Sequence, residues 1–375
     1  MNILVFSWRD PKHPQAGGAE QVMHEHAKGW IKAGHNIVHF GSIYKDAPSE
    51  EILDGVRIIR RGSYFLTVHL RAFMWYLFGS HPKFDVVIDE FHGIPFFTPL
   101  YIRAKKLAVL QEVAKEVWWL NPLPKPLNWI VGFVGYATEP LIFLLYKSVP
   151  FMVGSQSAKK DLISMGIGPG KITVVPHGVV LNTPKKMPAK EKKQTVVFLG
   201  ALTKDKGIED CIETFSLLNK RGREYNFWIM GGGEENYVKF LKKRVQKLGL
   251  EGKVSFFGRV SEEEKFKRLS RAHLLLNPSV REGWGLVNIE ANSVGTPVVA
   301  YKSPGLVDSV NDGKSGLLCK INTPGNLADT TMQLLKDTNL YSRLQRGAVK
   351  WSKQFEWEKS KNKSLKLIEH IANET

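Results

Sequence analysis

The sequence predicts an α/β fold made of two Rossmann-like domains facing each other across a cleft. Short apolar runs alternate with stretches of helical periodicity from the first residues onward. A polar, lysine-rich segment with two prolines, residues 179–194, interrupts the series and reads as a linker. A second series of the same kind starts straight after it. At 375 residues the chain also exceeds what one core usually organises.

The elements follow in order. "NILVFSW" (2–8) reads as a buried strand. "GGAEQVMHEHAKGWIKAGH" follows with Val22, Met23, Ala27, Trp30 and Ile31 at helical spacing, and "NIVHFGS" (36–42) returns to strand character. This is a βαβ unit, whose crossover implies parallel pairing. Further strands are expected at 84–89, 106–111, 150–155 and 172–178. The second series gives strands at 195–201, 226–233, 254–258, 273–279 and 297–301, with helices at about 207–221 and 235–248. Residues 324–371 read as mainly helical. The expected domains are 1–182 and 183–354, with a final helix, about 355–375, packing back onto the first.

Composition narrows the function classes. Apolar residues make up 43% of the chain, enough for sizeable cores. Cys211 and Cys319 form no close pair, which fits a reducing cytosol better than a disulfide framework. The first residues lack the basic leader and cleavage site of a signal peptide. The formal net charge of +17 points to a basic soluble protein, an anionic membrane surface, an acidic ligand or nucleic acid. Lysines crowd the linker (Lys185, Lys186, Lys190, Lys192, Lys193) and the last helix (Lys359, Lys361, Lys363, Lys366). No zinc-finger spacing or ribonucleoprotein motif accompanies them, so no nucleic-acid partner is expected.

The segment 117–151 departs from the pattern, being rich in aromatic and aliphatic residues. Glu139 and Pro140 interrupt it, and Pro122, Pro124 and Pro126 precede it. It allows a spanning helix, a buried helix pair or an amphipathic patch that dips into a bilayer.

Ligands of open α/β sheets bind beyond the carboxyl ends of the strands, so the loops there are the candidates. Gly17 and Gly18 open the first helix and would let a phosphate or sugar approach backbone N–H groups. In "GALTKDKG" (200–207), Lys206 adds a positive charge at a helix N-terminus, and Lys204 competes for that role. "GGGEE" (231–235) lacks the dinucleotide spacing and reads as a flexible turn. "PSVREGWGLVNIEANSVGTPVVAY" (278–301) is the richest. After a strand aimed into the cleft, Gly283 and Gly285 precede a helix whose first N–H groups, at Gly285, Leu286 and Val287, would be open to a diphosphate. Glu282 and Glu290 could each accept a pair of sugar hydroxyls.

These motifs, together with "GSQSAKKDL", "VVPHGV" and "NDGKSGLL", resemble the retaining glycosyltransferases of family 4, of GT-B architecture, over nearly the whole chain. The resemblance implies transfer of a hexose from a nucleotide-diphospho-sugar, without a metal or other cofactor. Glu282 would hold sugar hydroxyls near the reacting carbon and Glu290 the ribose. Lys206 and the amides of Gly285, Leu286 and Val287 would stabilise the departing diphosphate, with Gly283 giving access. Gly258 and Arg259 would lie beside the base, and Gly17 and Gly18 beside the diphosphate or the acceptor. Three positions depart from the family pattern: Ala201 stands where an arginine is common, Glu90 where a cleft histidine is common with His92 two positions on, and Val180 where an acidic residue is usual. Glu90 or His92 would contact sugar or acceptor. The expected acceptor is a lipid-linked or other glycan, reached by a cytoplasmic enzyme peripheral to an anionic inner membrane face. The alternative is a non-catalytic sugar-nucleotide binding protein of the same fold.

Overall fold

In the computed structural model the chain forms two compact units, Met1–Gly178 with Glu356–Thr375, and Val179–Phe355. The structure describes residues 1–63, 66–91, 93–121, 123–179, 184, 187–221 and 224–374.

The first unit runs β1 (Asn2–Phe6), α1 (Gly18–Lys32), β2 (Asn36–Gly41), β3 (Glu50–Leu53), β4 (Val56–Arg60), α2 (Leu66–Phe78), β5 (Val86–Phe91), β6 (Lys105–Leu110), α3 (Leu127–Leu145), β7 (Phe151–Val153), α4 (Gln156–Ser164) and β8 (Ile172–Val174). Its sheet order is β3-β4-β2-β1-β5-β6-β7-β8, parallel except for the β3–β4 hairpin. The expected strands fall within a few residues of β1, β2, β5, β6, β7 and β8. The hairpin was not expected, although its turn is written in Asp54–Gly55. Both residues have positive φ, 50° and 84°, as a two-residue mirror-image turn requires.

Register sorts this sheet's two faces. Ile3, Val86, Ile88, Leu107 and Val109 face α1. Leu4, Val87, Ala108 and Phe151 belong to the cores under α2 and α3. Asp89, on that second side, accepts from the Phe96 and Thr98 N–H groups and the Tyr146 hydroxyl, so its buried carboxylate is fully engaged.

The second unit runs β9 (Thr195–Leu199), α5 (Ile208–Lys220), β10 (Asn226–Met230), α6 (Glu235–Lys247), β11 (Val254–Gly258), α7 (Glu262–Arg271), β12 (Leu274–Asn277), α8 (Leu286–Ser293), β13 (Val298–Ala300), α9 (Leu306–Ser309), β14 (Gly316–Leu318), α10 (Pro324–Lys336) and α11 (Thr338–Ser352). All pairs are parallel in the order β11-β10-β9-β12-β13-β14. The chain therefore winds outward from β9 in one direction, then restarts at β12 in the other. The unexpected α7 carried a start signal in Ser261, whose hydroxyl caps the Glu264 N–H.

The last helix, α12 (Trp357–Asn373), belongs to the first unit. Ile368 and Ile371 enter the core beneath α1, and the Trp30 indole donates to Ser364 Oγ at 3.1 Å.

Candidate active site

The reversal of strand order between β9 and β12 is where an open α/β sheet leaves a crevice at its carboxyl edge. The two loops that flank it are the lysine loop and the glutamate loop, and they are locked together. Val280 N–H donates to Asp205 O at 2.8 Å. Gly207, with φ +70°, lies so close that a Cβ there would sit 2.3 Å from Pro278 O.

Lys206 Nζ lies 3.0 Å from Glu282 Oε2 and 3.7 Å from Asp205 Oδ2. Ser279 Oγ donates to Glu282 Oε1 at 2.8 Å. Both side chains keep some exposure, 24% for Lys206 and 18% for Glu282, so the pair remains reachable from solvent. Behind it, Glu282 N–H donates to Pro304 O, and Gly305 packs so tightly that a Cβ would meet Glu282 O at 2.1 Å.

Helix α8 starts at the same place. Gly285 adopts φ +92° as its N-cap, and a Cβ there would press on Ser309 Oγ at 2.8 Å. The Leu286 and Val287 N–H groups open the helix and have no acceptor within it. A buried chain from Asn277 through Asn288 to Ser309, with 2.8 Å links, ties β12, α8 and α9 together. Gly283 is half-buried in the loop. Trp284 is its anchor: the ring is 3% exposed and meets Phe355 edge-on.

Glu290 faces a different partner from Glu282. Its carboxylate takes Lys265 Nζ at 2.8 Å, and Lys265 also reaches Glu262 at 2.7 Å. Burial pushes the Glu290 carboxyl above the usual range, while Lys265 pulls it back. Burial works against the Lys265 charge too, but Glu290 and Glu262 outweigh it and raise its pKa. The sequence reading missed Lys265, since nothing in the spacing between α7 and α8 announces the pair.

The Gly258–Arg259 turn is exposed, with Gly258 at φ +66° and its carbonyl accepting the Gly231 N–H at 2.8 Å. The "GGGEE" segment is therefore no flexible turn. A Cβ on Gly231 would sit 1.7 Å from Gly200 O, and Leu202 N–H donates to Gly232 O at 2.8 Å. These glycines let the loops after β9, β10 and β11 pack backbone to backbone. Ala201 and Lys204 are exposed, whereas Arg281 is buried.

In the first unit the strand order reverses between β1 and β5. Gly17 and Gly18 follow β1 and are exposed, but the expectation of two open amides needs correction. Gly17 N–H donates to Glu20 Oε2 at 2.7 Å, and Glu20 is fixed by Arg9 at 2.7 Å. The glutamate three positions on caps the helix and consumes that donor. Glu90 is fully buried on the α1 side of the sheet, where its charge acts on His39. His92 lies outside the described residues, as does Val180. Among the described residues no cluster of three His, Cys, Asp or Glu side chains could hold a metal.

Two family models cover most of the chain. That for glycosyl transferases group 1 matches residues 181–351, and that for glycosyltransferase family 4 matches residues 16–183. An uncharacterized glycosyltransferase of Methanocaldococcus jannaschii is 30% identical over 182 residues, 47% of this chain and 48% of that protein. A mannosylfructose-phosphate synthase of Agrobacterium fabrum is 34% identical over 183 residues, 47% of this chain and 40% of that one. The chain thus spans about half the length, or less, of these curated relatives. Among solved structures, sucrose-phosphate synthase from Thermosynechococcus elongatus superposes with a TM-score of 0.79 at 17% identity, covering 99% of this chain and 98% of that one. HepE of Anabaena, in complex with UDP-glucose, does so with a TM-score of 0.72 at 17% identity, covering 99% and 100%. At such identity these likenesses speak for the fold, which is GT-B. The chain belongs to the group 1 glycosyltransferases of family 4.

Proposed function

We propose that the protein transfers a hexose, with retention of anomeric configuration, from a nucleotide-diphospho-sugar to a lipid-linked or other glycan acceptor at a membrane surface. The observation that carries the donor half is the Lys206–Glu282 pair at the N-terminus of α8, set at the strand-order reversal of the second unit. Cation and helix amides together suit a diphosphate, and a carboxylate beside them suits sugar hydroxyls. The UDP-glucose held by the Anabaena neighbour supports the same class of donor.

In this reading the diphosphate draws Lys206 away from Glu282 and also accepts from the Leu286 and Val287 amides. Glu282, still held by Ser279, turns its free oxygen to the sugar. Glu290, steadied by Lys265, takes the ribose diol, and the Gly258–Arg259 turn borders the base. As the C–O bond to the leaving phosphate breaks, the acceptor oxygen attacks from the same face and its proton passes to that phosphate. Lys206 and the amides hold the developing charge, the task a cation would otherwise perform. His92, Gly18 and the exposed backbone of Gly17 are the acceptor-side candidates, whereas Glu90, fully buried, is set too deep to touch sugar or acceptor. The acceptor half is supported by the net charge of +17 and by exposed apolar helices in the first unit; in this reading the enzyme works at the cytoplasmic face of the membrane.

The test is a thermal-shift screen across nucleotide-sugars, since a true donor stabilises by mass action. Radiolabelled transfer with the best donor follows. Donor-induced stabilisation that vanishes in Glu282→Gln, together with lost transfer, supports the assignment. Stabilisation without transfer or slow donor hydrolysis, across a broad acceptor panel, would favour the non-catalytic binder.

A further inference from the structure

Helices α2 and α3 lie on the same side of the first unit's sheet. Val68 and Ala72 of α2 join the core over Leu4 and Val87, and Phe143 of α3 joins the core over Ala108 and Phe151. Register puts those four strand residues on one face. Each helix buries a narrow stripe and leaves a broad apolar surface open. On α2, Leu70, Phe73, Leu77 and Phe78 are exposed, Phe78 to 79%. On α3, Trp129, Ile130, Phe133 and Leu141 are exposed, Phe133 to 63%. Scattered exposed apolar residues are ordinary, but two helices of them on one side of a sheet mark a docking surface.

The charges say what docks there. Neither helix exposes an acidic side chain, because Glu139, the only one in either, is buried. Exposed cations sit within or beside them: Arg71 in α2, and Lys125 and Lys147 at the two ends of α3. Lys125 Nζ stands 5.1 Å over the Trp129 ring, an aromatic–cation pair of the kind that settles at a lipid headgroup boundary. A second copy of this chain would bring its own cations against these, whereas an anionic phospholipid leaflet complements both the apolar surface and the charge.

By length and composition α3 could cross a membrane. Its anchorage argues against that. The Glu139 carboxylate accepts from the Ala114 and Lys115 N–H groups at 2.6 and 2.9 Å. A Cβ on Gly135 would stand 2.3 Å from the Trp118 ring, and one on Gly132 2.8 Å from the Trp119 ring. Gly132, Gly135, Glu139 and Phe143 thus form one stripe bolted to the protein, and withdrawing it would strand a carboxylate in lipid. We infer that α2 and α3 together form an in-plane docking face for an anionic phospholipid leaflet, with α3 lying in the interface and not spanning it.

The inference rests on the membrane half of the reading above and is independent of the donor half. The full chain is sedimented with phosphatidylcholine vesicles, with and without phosphatidylglycerol. Binding should require the anionic lipid and weaken with salt. The Ile130→Ser/Phe133→Ser variant alters exposed side chains only and should bind at least about tenfold more weakly. Its donor-induced stabilisation should match the unaltered protein, and loss of that shift would reveal a folding defect, in which case the single Phe133→Ser variant is used. Depth is read from Phe133→Cys carrying an environment-sensitive dye, since both native cysteines are buried. Quenching by shallow-labelled lipid supports the in-plane geometry. Quenching from the bilayer centre, equal binding to neutral vesicles, or no vesicle binding with an oligomer that Phe133→Ser dissociates would each overturn the inference.

Discussion

Lys206 and Glu282 face each other at 3.0 Å, adding a side-chain link to the backbone bond that already joins the loop after β9 to the loop after β12. A partly exposed pair of this kind contributes little to stability, about 1 kcal/mol or less. Its proposed worth lies in transfer, where a lost donor to developing charge costs about a hundred- to a thousandfold in kcat. Lys206→Met should therefore show that loss in turnover with a melting temperature nearly unchanged. A large drop in Tm with turnover falling only in proportion to the folded fraction would make the pair structural.

Lys265 is expected to act through Glu290. Lys265→Met leaves a buried carboxyl without its nearest cation, so its pKa rises further and the ribose diol loses an acceptor at lower pH. KM for a ribonucleotide donor should rise about tenfold, the cost of a charged hydrogen bond, with kcat little changed. A 2′-deoxyribose donor should feel the change less, and Lys265→Arg should restore most of the affinity. An equal loss for both donors would remove Glu290 from the ribose.

The legible parts of this chain were those with strong local signals. Parallel strands such as β1 and β9 are apolar on both faces, and Gly285 with Pro297 bracketed α8. The β3–β4 hairpin was missed because Glu50, Glu51 and Arg57 interrupt its apolar pattern, although Asp54–Gly55 announced the turn. Partnerships were not legible. Lys206 and Glu282 are 76 positions apart in the sequence, and only the sheet order β9-β12 makes their loops neighbours. Gly17 misled for a related reason: the paired glycines suggested open amides, while Glu20, read only as a helical residue, claims one of them.

Two glycines with the same backbone sign separate strain from crowding. Gly207 has φ +70° and a would-be Cβ 2.3 Å from Pro278 O, whereas Gly249 has φ +65° and nothing within 4 Å. Gly249→Ala should cost about 1 kcal/mol for the left-handed backbone alone. Gly207→Ala must also push the two site loops apart, and should cost about 3 kcal/mol or more. Chemical denaturation measures both, and equal losses would refute the close approach. Because Lys206 precedes Gly207, only that variant should also lose donor-induced stabilisation.

Transfer should be insensitive to chelation. If Lys206 and the α8 amides hold the leaving diphosphate, EDTA should leave the initial rate unchanged and added magnesium should not raise it. A rate that collapses with EDTA and returns with a divalent ion would assign that charge to a metal.

Acid should weaken the first unit through its buried histidines. Burial lowers His26 from 6.5 to about 3, with His177 and Lys361 adding repulsion, and burial lowers His177 to about 4. A folded pKa below the unfolded one means that the folded form binds fewer protons between the two values. The stability these groups contribute is therefore full above 6.5 and falls as the pH drops toward about 4 for His177 and about 3 for His26. That window opens above the one in which Asp10 and Glu25, with pKa values held below the usual range, lose theirs. At pH 5 each histidine withdraws about 2 kcal/mol. His26 stacks on Trp30 and meets Trp357 edge-on, so His26→Phe keeps the ring contacts and removes the titration. The variant should match the unaltered protein at pH 7 and exceed it by about 2 kcal/mol at pH 5. Urea titrations at the two pH values measure this, and parallel losses in both proteins would mean that His26 does not titrate on unfolding.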